Sequence, residues 1–320
     1  MTSSTQPAND PAWVLQPELS DEFNGDSLDL AKWSVMDQVK GHGKGLMRKE
    51  NVRVGEGRVS IHVDTLSPNV GNDSLLFKYQ CGEFSSYARY HFGYFEIQAR
   101  YPVGNVFYWP AFWLWNANCD SLSEPWSEEI DIAENGPHES VNMRQIGTNI
   151  HRSARDSNSC NQDVHHYFAA DFEERIDLKM HKYGLMWNAK GLGFYVDDTL
   201  INYVPNRVVR TPSHPLMVIF DMYIPDYVAD PDHMPPAALE IDYFRYYKLK
   251  VETEQPLVIS NPAADYLGNR AVKKSIETRN AAFKAGDQVT LRAKDYIVLD
   301  KGTVISADGK GRFVAEVTGN

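Results

Sequence analysis

The sequence lacks the features of disulfide-rich, zinc-binding and membrane-spanning proteins. It has three cysteines at irregular spacing, which excludes a disulfide framework, and no CxxC pair that suggests zinc. Cys119 and Cys160 lie in polar, loop-like surroundings that are compatible with one bridge between them, whereas the strand-like context of Cys81 predicts a buried thiol. No run approaches the roughly 20 apolar residues of a membrane helix.

Positive charge is also scarce. The 32 Lys and Arg residues face 43 Asp and Glu residues, for a net charge of −11. An acidic protein repels phosphate backbones, so nucleic acid is excluded as an expected partner, and heavily sulfated polymers are disfavoured unless a local basic patch binds them. Residues 1–12 are polar, without the apolar segment of a signal peptide, and are predicted to be disordered.

Long amphipathic helices are missing before residue 250, where β-branched and aromatic residues alternate with polar ones instead. Clear examples are RVSIHV (58–63), YFEIQARY (94–101), PLMVIFDMY (215–223) and LEIDYFRYY (239–247). Many short strands without intervening helices indicate antiparallel sheets. At this chain length they predict an all-β fold, a two-sheet antiparallel sandwich or jelly roll.

The composition shifts near residue 250 and divides the chain. We expect a main β domain over 13–249, a linker over 250–260 and a small β-rich C-terminal module over 261–320. The last segment has short strands at regular spacing, with Gly or Asp at the turns between them.

One strand carries an unusual group of acids, WSEEIDIAENG at 126–136. Carboxylates among apolar residues cost free energy unless they are paired or hydrogen-bonded. Glu129 and Asp131 share a face of a regular strand, and Glu134 would point to the other face. A β-bulge at 132–133 would return Glu134 to the first face. The alternative is an acidic edge strand or a row of ion pairs.

Two glutamates held together on one face suit acid–base chemistry at a glycosidic bond. Like charges push one pKa up and the other down, which yields one proton donor and one nucleophile. Even with the bulge their Cα atoms lie ~13 Å apart along the strand. Retaining glycosidases hold these carboxyls about 5–5.5 Å apart, so the side chains must lean together over Asp131 on a curved, concave sheet.

These residues resemble the signature of glycoside hydrolase family 16, which is Glu, a hydrophobic residue, Asp, one or two further residues and Glu. Glu129-Ile-Asp-Ile-Ala-Glu134 is similar to its longer, bulged form. The resemblance covers residues 13–249 and is carried by segments 21–33, 50–63, 92–116, 181–201 and 239–248.

The resemblance implies a β-jelly-roll sandwich with a concave cleft and retaining, endo-acting hydrolysis of a β-linked glucan or galactan, with no cofactor needed for catalysis. It implies Glu129 as nucleophile, Glu134 as acid/base and Asp131 as helper. Either the protein stays in the cytosol or a signal peptide has been removed; we expect a secreted or cell-surface monomer, because an enzyme that cuts a polymer must meet its substrate outside the cell. The C-terminal module is similar to a β-rich tail of secreted Bacteroidetes-type proteins.

Relatives often carry a structural calcium ion on the convex side. The matching positions are Asp242 with oxygens from Glu22 and Gly57, and hard oxygen ligands suit calcium. The alternative is that Asp242 caps a strand.

Sugar rings stack on aromatic side chains, and their hydroxyls need polar partners. Three tryptophans of FYWPAFWLW share one face of their strand; they line the cleft if that face is concave and belong to the core otherwise. A further tryptophan precedes the acids, and an amide and a histidine share a face of IGTNIH. The predicted substrate-binding residues are therefore Trp109, Trp113, Trp115, Trp126, Asn149 and His151.

The motif before the acids, WPAFWLW, is most similar to the β-1,3-glucanase branch, so laminarin or mixed-linkage glucan is the first substrate expectation. An algal galactanase of agarase, porphyranase or carrageenase type is the alternative. A sulfated substrate would require arginine in the cleft, for which Arg89, Arg144 and Arg152 are the candidates. A non-catalytic lectin is the remaining alternative, and it would not need the paired glutamates.

Overall fold

The protein is described by a computed structural model. It describes residues 8, 10, 13–37, 39–40, 43–66, 77–104, 107–116, 126–136, 143–155, 160–188, 190–206, 208–228, 237–249, 257–259, 272–278, 280–283, 288–305 and 312–317. Most of the predicted N-terminal segment and of the predicted linker lies outside these residues. None of the described helices is long and apolar enough to cross a bilayer.

The described chain is built almost entirely of strands, with short 3-10 turns at Pro17–Leu19 and Lys49–Asn51. The strands are β1 Trp13–Leu15, β2 Trp33–Val35, β3 Val39–Lys40, β4 Gly45–Met47, β5 Val52–Gly55, β6 Arg58–Thr65, β7 Tyr79–Ser86, β8 Gly93–Arg100, β9 Trp109–Trp115, β10 Trp126–Glu134, β11 Gln145–Arg155, β12 Cys160–His165, β13 Phe168–Asp171, β14 His181–Asn188, β15 Gly191–Val196, β16 Thr199–Pro205, β17 Met217–Tyr223, β18 Ala237–Leu249, β19 Leu257–Ile259, β20 Val272–Thr278, β21 Ala282–Phe283, β22 Gln288–Leu299, β23 Val304–Ile305 and β24 Arg312–Val317.

Sixteen of the first 18 strands form two antiparallel sheets, and β3 and β4 form a short hairpin whose β4 pairs in parallel with β7. The cleft sheet has the order β2-β7-β17-β9-β10-β11, with β12 and β13 both paired to the outer edge of β11. The back sheet has the order β16-β15-β14-β8-β18-β6-β5, and β1 pairs with the end of β18. Strands β6 and β7 join the two sheets at one edge. The all-β, antiparallel two-sheet prediction is confirmed.

Strand alternation builds the core between the sheets. In β6 every second residue is buried, as period-two patterning requires. Phe84, Phe112 and Phe220 lie on neighbouring strands of the cleft sheet with ring centroids 4.9–5.1 Å apart. Because adjacent residues of a strand point to opposite faces, the neighbours of these phenylalanines point into the cleft.

The last strands pair in parallel. Strands β19, β20, β22 and β24 form one small sheet, and β21 pairs with β23 in another. Leu257 pairs with Ile276 and Gln288 with Arg312, so each strand lies beside one that follows 19–24 positions later. Successive parallel turns of this kind describe a coil, as in solenoid folds, rather than a set of hairpins.

Two of the cysteines are described. Cys160, at the start of β12, is disulfide-bonded. Cys81 is a free, buried thiol, as its sequence context predicts, and burial raises its pKa to about 12. Cys119 lies outside the described residues.

Candidate active site

Strand β10 sends two adjacent glutamates to opposite faces. Glu129 and Asp131 line a cavity on the open face of the cleft sheet. Glu128 points the other way and is fully buried. This division follows from the two-residue period of a strand, and it separates an acid of the cavity from a buried acid within one dipeptide.

A β-bulge returns Glu134 to the cavity side. On the β11 side, Asp131 pairs with Asn149 and Glu134 with Gly147, so three steps on β10 oppose two on β11. The register with β9 also shifts between Asp131 and Ala133. All three acids consequently line the same cavity. The bulge predicted at 132–133 is confirmed.

Burial and the neighbouring Asp131 raise the pKa of Glu129 to about 8. The imidazole of His151 acts in the opposite direction, with its Nε2 3.3 Å from Asp131 Oδ2 and 3.7 Å from Glu129 Oε1. Two neighbouring carboxyls do not both ionise readily, so their interaction favours a state in which the Glu129–Asp131 pair holds one proton.

Glu134 is fixed by an aromatic donor. The indole N–H of Trp109 donates to Glu134 Oε1 over 2.7 Å, and the Trp109 ring stacks on Tyr223 at 6.1 Å with a 13° interplanar angle. Gly136 permits this arrangement, because a Cβ there would lie 2.8 Å from the Trp109 ring. The acid is therefore held at one end of an aromatic wall.

The cavity has a volume of about 520 Å³, which is within the range of ordinary ligand sites. It combines carboxyl groups with aromatic rings, imidazoles and an amide, the mixture that a sugar needs. Its lining consists of Trp109, Ala111, Trp113, Glu129, Asp131, Glu134, Asn149, His151, His165, Tyr167, Asp221 and Tyr223.

The amide of Asn149 organises the histidine side of the cavity. Its Oδ1 accepts from the Ile150 N–H at 2.9 Å, and its Nδ2 lies 2.9 Å from His151 Nε2 and 3.2 Å from His165 Nε2. The two imidazole rings stack with centroids 4.8 Å apart. Asn149 and His151 thus lie in the cavity as predicted, and His165 joins them.

The cavity acid Asp221 and its neighbour Glu83 were not identified from the sequence. Glu134, Ala111, Asp221 and Glu83 occupy one row across β10, β9, β17 and β7. Asp221 is buried, and burial with the charges of Glu83 and Glu134 raises its pKa, while the Trp113 indole lowers it. Burial likewise raises the pKa of Glu83 to about 7. The sequence does carry a signal for these acids: Glu83 and Asp221 are each adjacent to a core phenylalanine, Phe84 or Phe220, and therefore point to the cleft face.

The structure places Trp126 on the other side of the cleft sheet, so the prediction that it is a sugar platform is wrong. Its ring packs under the Arg152 guanidinium at 4.2 Å and beside His214. Trp126 has the parity of Glu128, not that of Glu129, and this parity sends it behind the sheet.

Of the other tryptophans, Trp109 and Trp113 line the cavity as predicted. Trp115 lies on the same strand, with its ring centroid 6.4 Å from that of Trp113. It lies outside the cavity, and its indole N–H donates to Ser127 Oγ.

None of the three candidate arginines lines the cavity. Arg89 and Arg144 donate to backbone carbonyls of residues outside the lining, and Arg152 pairs with Glu128 behind the sheet.

The predicted calcium ligands fit only in part. Both carboxylate oxygens of Glu22 accept from the Arg245 guanidinium at 2.8 Å, which lowers the Glu22 pKa and occupies the oxygens that a cation would need. The Glu22 side chain is therefore not a calcium ligand in this structure. A site made of the Asp242 carboxylate with backbone oxygens of Glu22 and Gly57 stays a prediction.

Among the described residues, one group offers three metal-type ligands, Glu129, Asp131 and His151, with ligand atoms within 4.8 Å of one another. All three lie in the cavity described above.

A curled antiparallel sheet that holds three acids and a wall of aromatic rings over an open cavity defines a polysaccharide-cleaving glycosidase. The model of the β-porphyranase A–D domain of glycoside hydrolase family 16 matches residues 13–249. The chain belongs to glycoside hydrolase family 16 and is an endo-acting glycanase.

Individual relatives are distant. A β-glucanase of Rhodothermus marinus is 27% identical over 278 residues, covering 78% of this chain and 90% of the relative. Porphyranase B of Zobellia galactanivorans has a crystal structure similar to this one, with a TM-score of 0.65 at 21% identity over 77% of this chain and 98% of that one. The structure of the laminarinase catalytic domain of Thermotoga maritima has a TM-score of 0.60 at 21% identity and covers 74% of this chain and 99% of that one. These likenesses confirm the jelly-roll fold.

Proposed function

We propose that the protein cleaves internal β-linkages of a polysaccharide by double displacement, with Glu129 as nucleophile, Glu134 as acid/base and Asp131 as the group that controls the proton on Glu129. The observation that carries the proposal is the β10 bulge, which brings all three acids to one cavity. Hydrogen bonding of Glu134 to the Trp109 indole supports separate roles for the two glutamates.

In the first step Glu129 attacks the anomeric carbon while Glu134 gives its proton to the leaving glycosidic oxygen. Glu129 must be ionised for this attack, so the proton shared by the pair resides on Asp131 at that moment. Asp131 then donates a hydrogen bond to the Glu129 carboxylate. In the second step Glu134 takes a proton from water, which attacks the glycosyl-enzyme and releases a product of unchanged anomeric configuration.

We further propose that the sugar units beside these acids carry no sulfate. The described lining contains four carboxyl groups and neither Lys nor Arg. The ionised carboxylate of the Glu129–Asp131 pair would oppose a second anion, and the described lining offers no cationic side chain to neutralise a sulfate. A neutral unit also suits the aromatic wall of Trp109 and Tyr223.

For the substrate we place an agar-type galactan first, because the family model that matches the whole domain is that of β-porphyranases. The initial expectation, a β-1,3-glucan, is the second candidate, supported by the likeness to a β-glucanase and to a laminarinase structure. A polymeric substrate also supports secretion or a surface location, and we expect a monomer.

The test is a reducing-end assay on agarose, porphyran, κ-carrageenan, laminarin and mixed-linkage glucan, with Glu129→Gln as the control. Activity on agarose that disappears in the variant supports the proposal, whereas activity on porphyran without activity on agarose would overturn the claim that the sugar units beside the acids carry no sulfate. Activity on laminarin alone would overturn the galactan assignment and favour the second candidate. Unchanged activity of Glu129→Gln would overturn the assignment of the nucleophile.

A further inference from the structure

Tyr101 reaches the catalytic strand from the chain that leaves β8. Its side chain is buried, and its hydroxyl donates to the backbone carbonyl of Ala133 over 2.7 Å. Ala133 is itself buried and lies within the bulge between Asp131 and Glu134. A hydroxyl that does not touch the cavity is therefore bonded to the segment that turns Glu134 into it.

The carbonyl in question belongs to the peptide unit that joins Ala133 to Glu134. Fixing the direction of that carbonyl fixes the rotation of the peptide plane, and hence the direction in which the Glu134 Cα–Cβ bond leaves the strand. A bulge interrupts the regular ladder and leaves this direction less determined than in a paired strand. The Tyr101 hydroxyl supplies a constraint at that point.

We propose that Tyr101 is a positioning residue that holds the bulge peptide, so that Glu134 points at the bond to be cleaved. The inference rests on the proposed role of Glu134. Burial raises the pKa of Tyr101, with smaller contributions from Tyr183 and Glu134. The hydroxyl consequently remains a donor over the whole working pH range.

Tyr183 is a matched comparison. It is also buried, and its ring packs edge-to-face against Tyr101 with centroids 5.1 Å apart and a 68° angle. Its hydroxyl has no hydrogen-bond partner in the described part of the chain. Tyr101→Phe and Tyr183→Phe each remove one oxygen from the same aromatic pair, but only the first removes the bond to the bulge.

Steady-state kinetics on the active substrate separate positioning from packing. A catalytic group displaced by about 1 Å costs up to roughly 100-fold in rate. We therefore expect Tyr101→Phe to lower kcat by about 10- to 100-fold with KM within about twofold of the wild type, and to alter the basic limb of the pH–rate profile. Tyr183→Phe should retain the wild-type kcat, KM and pH profile.

A second readout needs no substrate. In ¹⁵N-tryptophan-labelled protein, the Trp109 indole signal, assigned with Trp109→Phe, reports the bond from Trp109 Nε1 to Glu134 Oε1. We expect this signal to move in Tyr101→Phe and to stay in place in Tyr183→Phe.

An unmoved Trp109 signal with unchanged kcat would overturn the inference, and so would equal effects of the two variants. A Tyr101→Phe protein that fails to fold while Tyr183→Phe folds would also overturn it, because the hydroxyl would then serve the fold instead of Glu134. If the wild type cleaves no polysaccharide, the proposed function fails, but the indole signals still decide whether Tyr101 holds Glu134.

Discussion

Glu128 provides the sharpest test of the physical account, because it is the fully buried neighbour of the proposed nucleophile. Its carboxylate accepts from Arg152 Nε at 3.1 Å, from the backbone N–H groups of Ser213 and His214 at 2.9 and 2.8 Å, and lies 2.9 Å from His214 Nδ1. Burial opposes ionisation, but the hydrogen bonds and charge of His214 and the bond from Ser213 outweigh it and lower the pKa to about 2.

Lowering a carboxyl pKa from 4.5 to about 2 at about 1.4 kcal/mol per pH unit corresponds to about 3 kcal/mol of folding stability. Because the folded-state pKa is depressed, this stability is present above pH 4.5 and is lost as the pH falls towards 2. Glu128→Gln should remove it and break the buried ion pair with Arg152, at a cost of roughly 3–5 kcal/mol.

Thermal and urea unfolding near pH 7 measure the loss. At about 2–4 °C per kcal/mol for a domain of this size, a 3 kcal/mol loss lowers Tm by about 6–12 °C. The control is Glu22→Gln, which breaks a solvent-exposed pair with Arg245 and should cost less than about 1 kcal/mol. A Glu128→Gln protein within about 1 kcal/mol of the wild type, or one with the wild-type loss of stability between pH 4.5 and 2, would refute this reasoning.

Two further predictions concern the cleft. Asp131→Asn removes the charge that, after burial, contributes most to the raised pKa of Glu129, so the Glu129 carboxyl, followed by NMR, should lose its proton at a pH lower by roughly one unit; a titration that stays near pH 8 would contradict the shared-proton account. Trp113→Phe should raise KM about three- to tenfold through weaker stacking, whereas Trp126→Phe should leave KM within about twofold because its ring lies behind the sheet. Equal KM effects of the two variants would contradict the assignment of faces.

Local sequence patterns predict the catalytic strand well. The two-residue period separates Glu128 from Glu129, and the three-residue step to Glu134 already requires a bulge if the acids are to meet. The same period places Trp109 and Trp113 on one face. The same parity rule places Trp126 with Glu128, behind the sheet, because the strand already begins at Trp126.

Local sequence patterns do not predict which residues of distant strands lie opposite each other. Glu83 and Asp221 lie opposite each other on β7 and β17 although they are far apart in the chain. Tyr101 meets Ala133 through the stacking of the two sheets. Each residue alone is an ordinary member of an alternating strand or the chain that follows one, and only the pairing of the strands brings them to the site. The sequence likewise carries no local signal for the parallel pairing of the C-terminal strands, because short strands with turn residues also suit hairpins.

The most direct test of the central claim is to identify the residue that becomes covalently glycosylated. The enzyme is incubated with a 2-deoxy-2-fluoro glycoside of the oligosaccharide that it cleaves, digested and analysed by peptide mass spectrometry. The account predicts a single added glycosyl group on Glu129. Labelling of Glu134 or Asp131 instead, or turnover of the natural substrate with inversion of anomeric configuration and no labelled peptide, would contradict it.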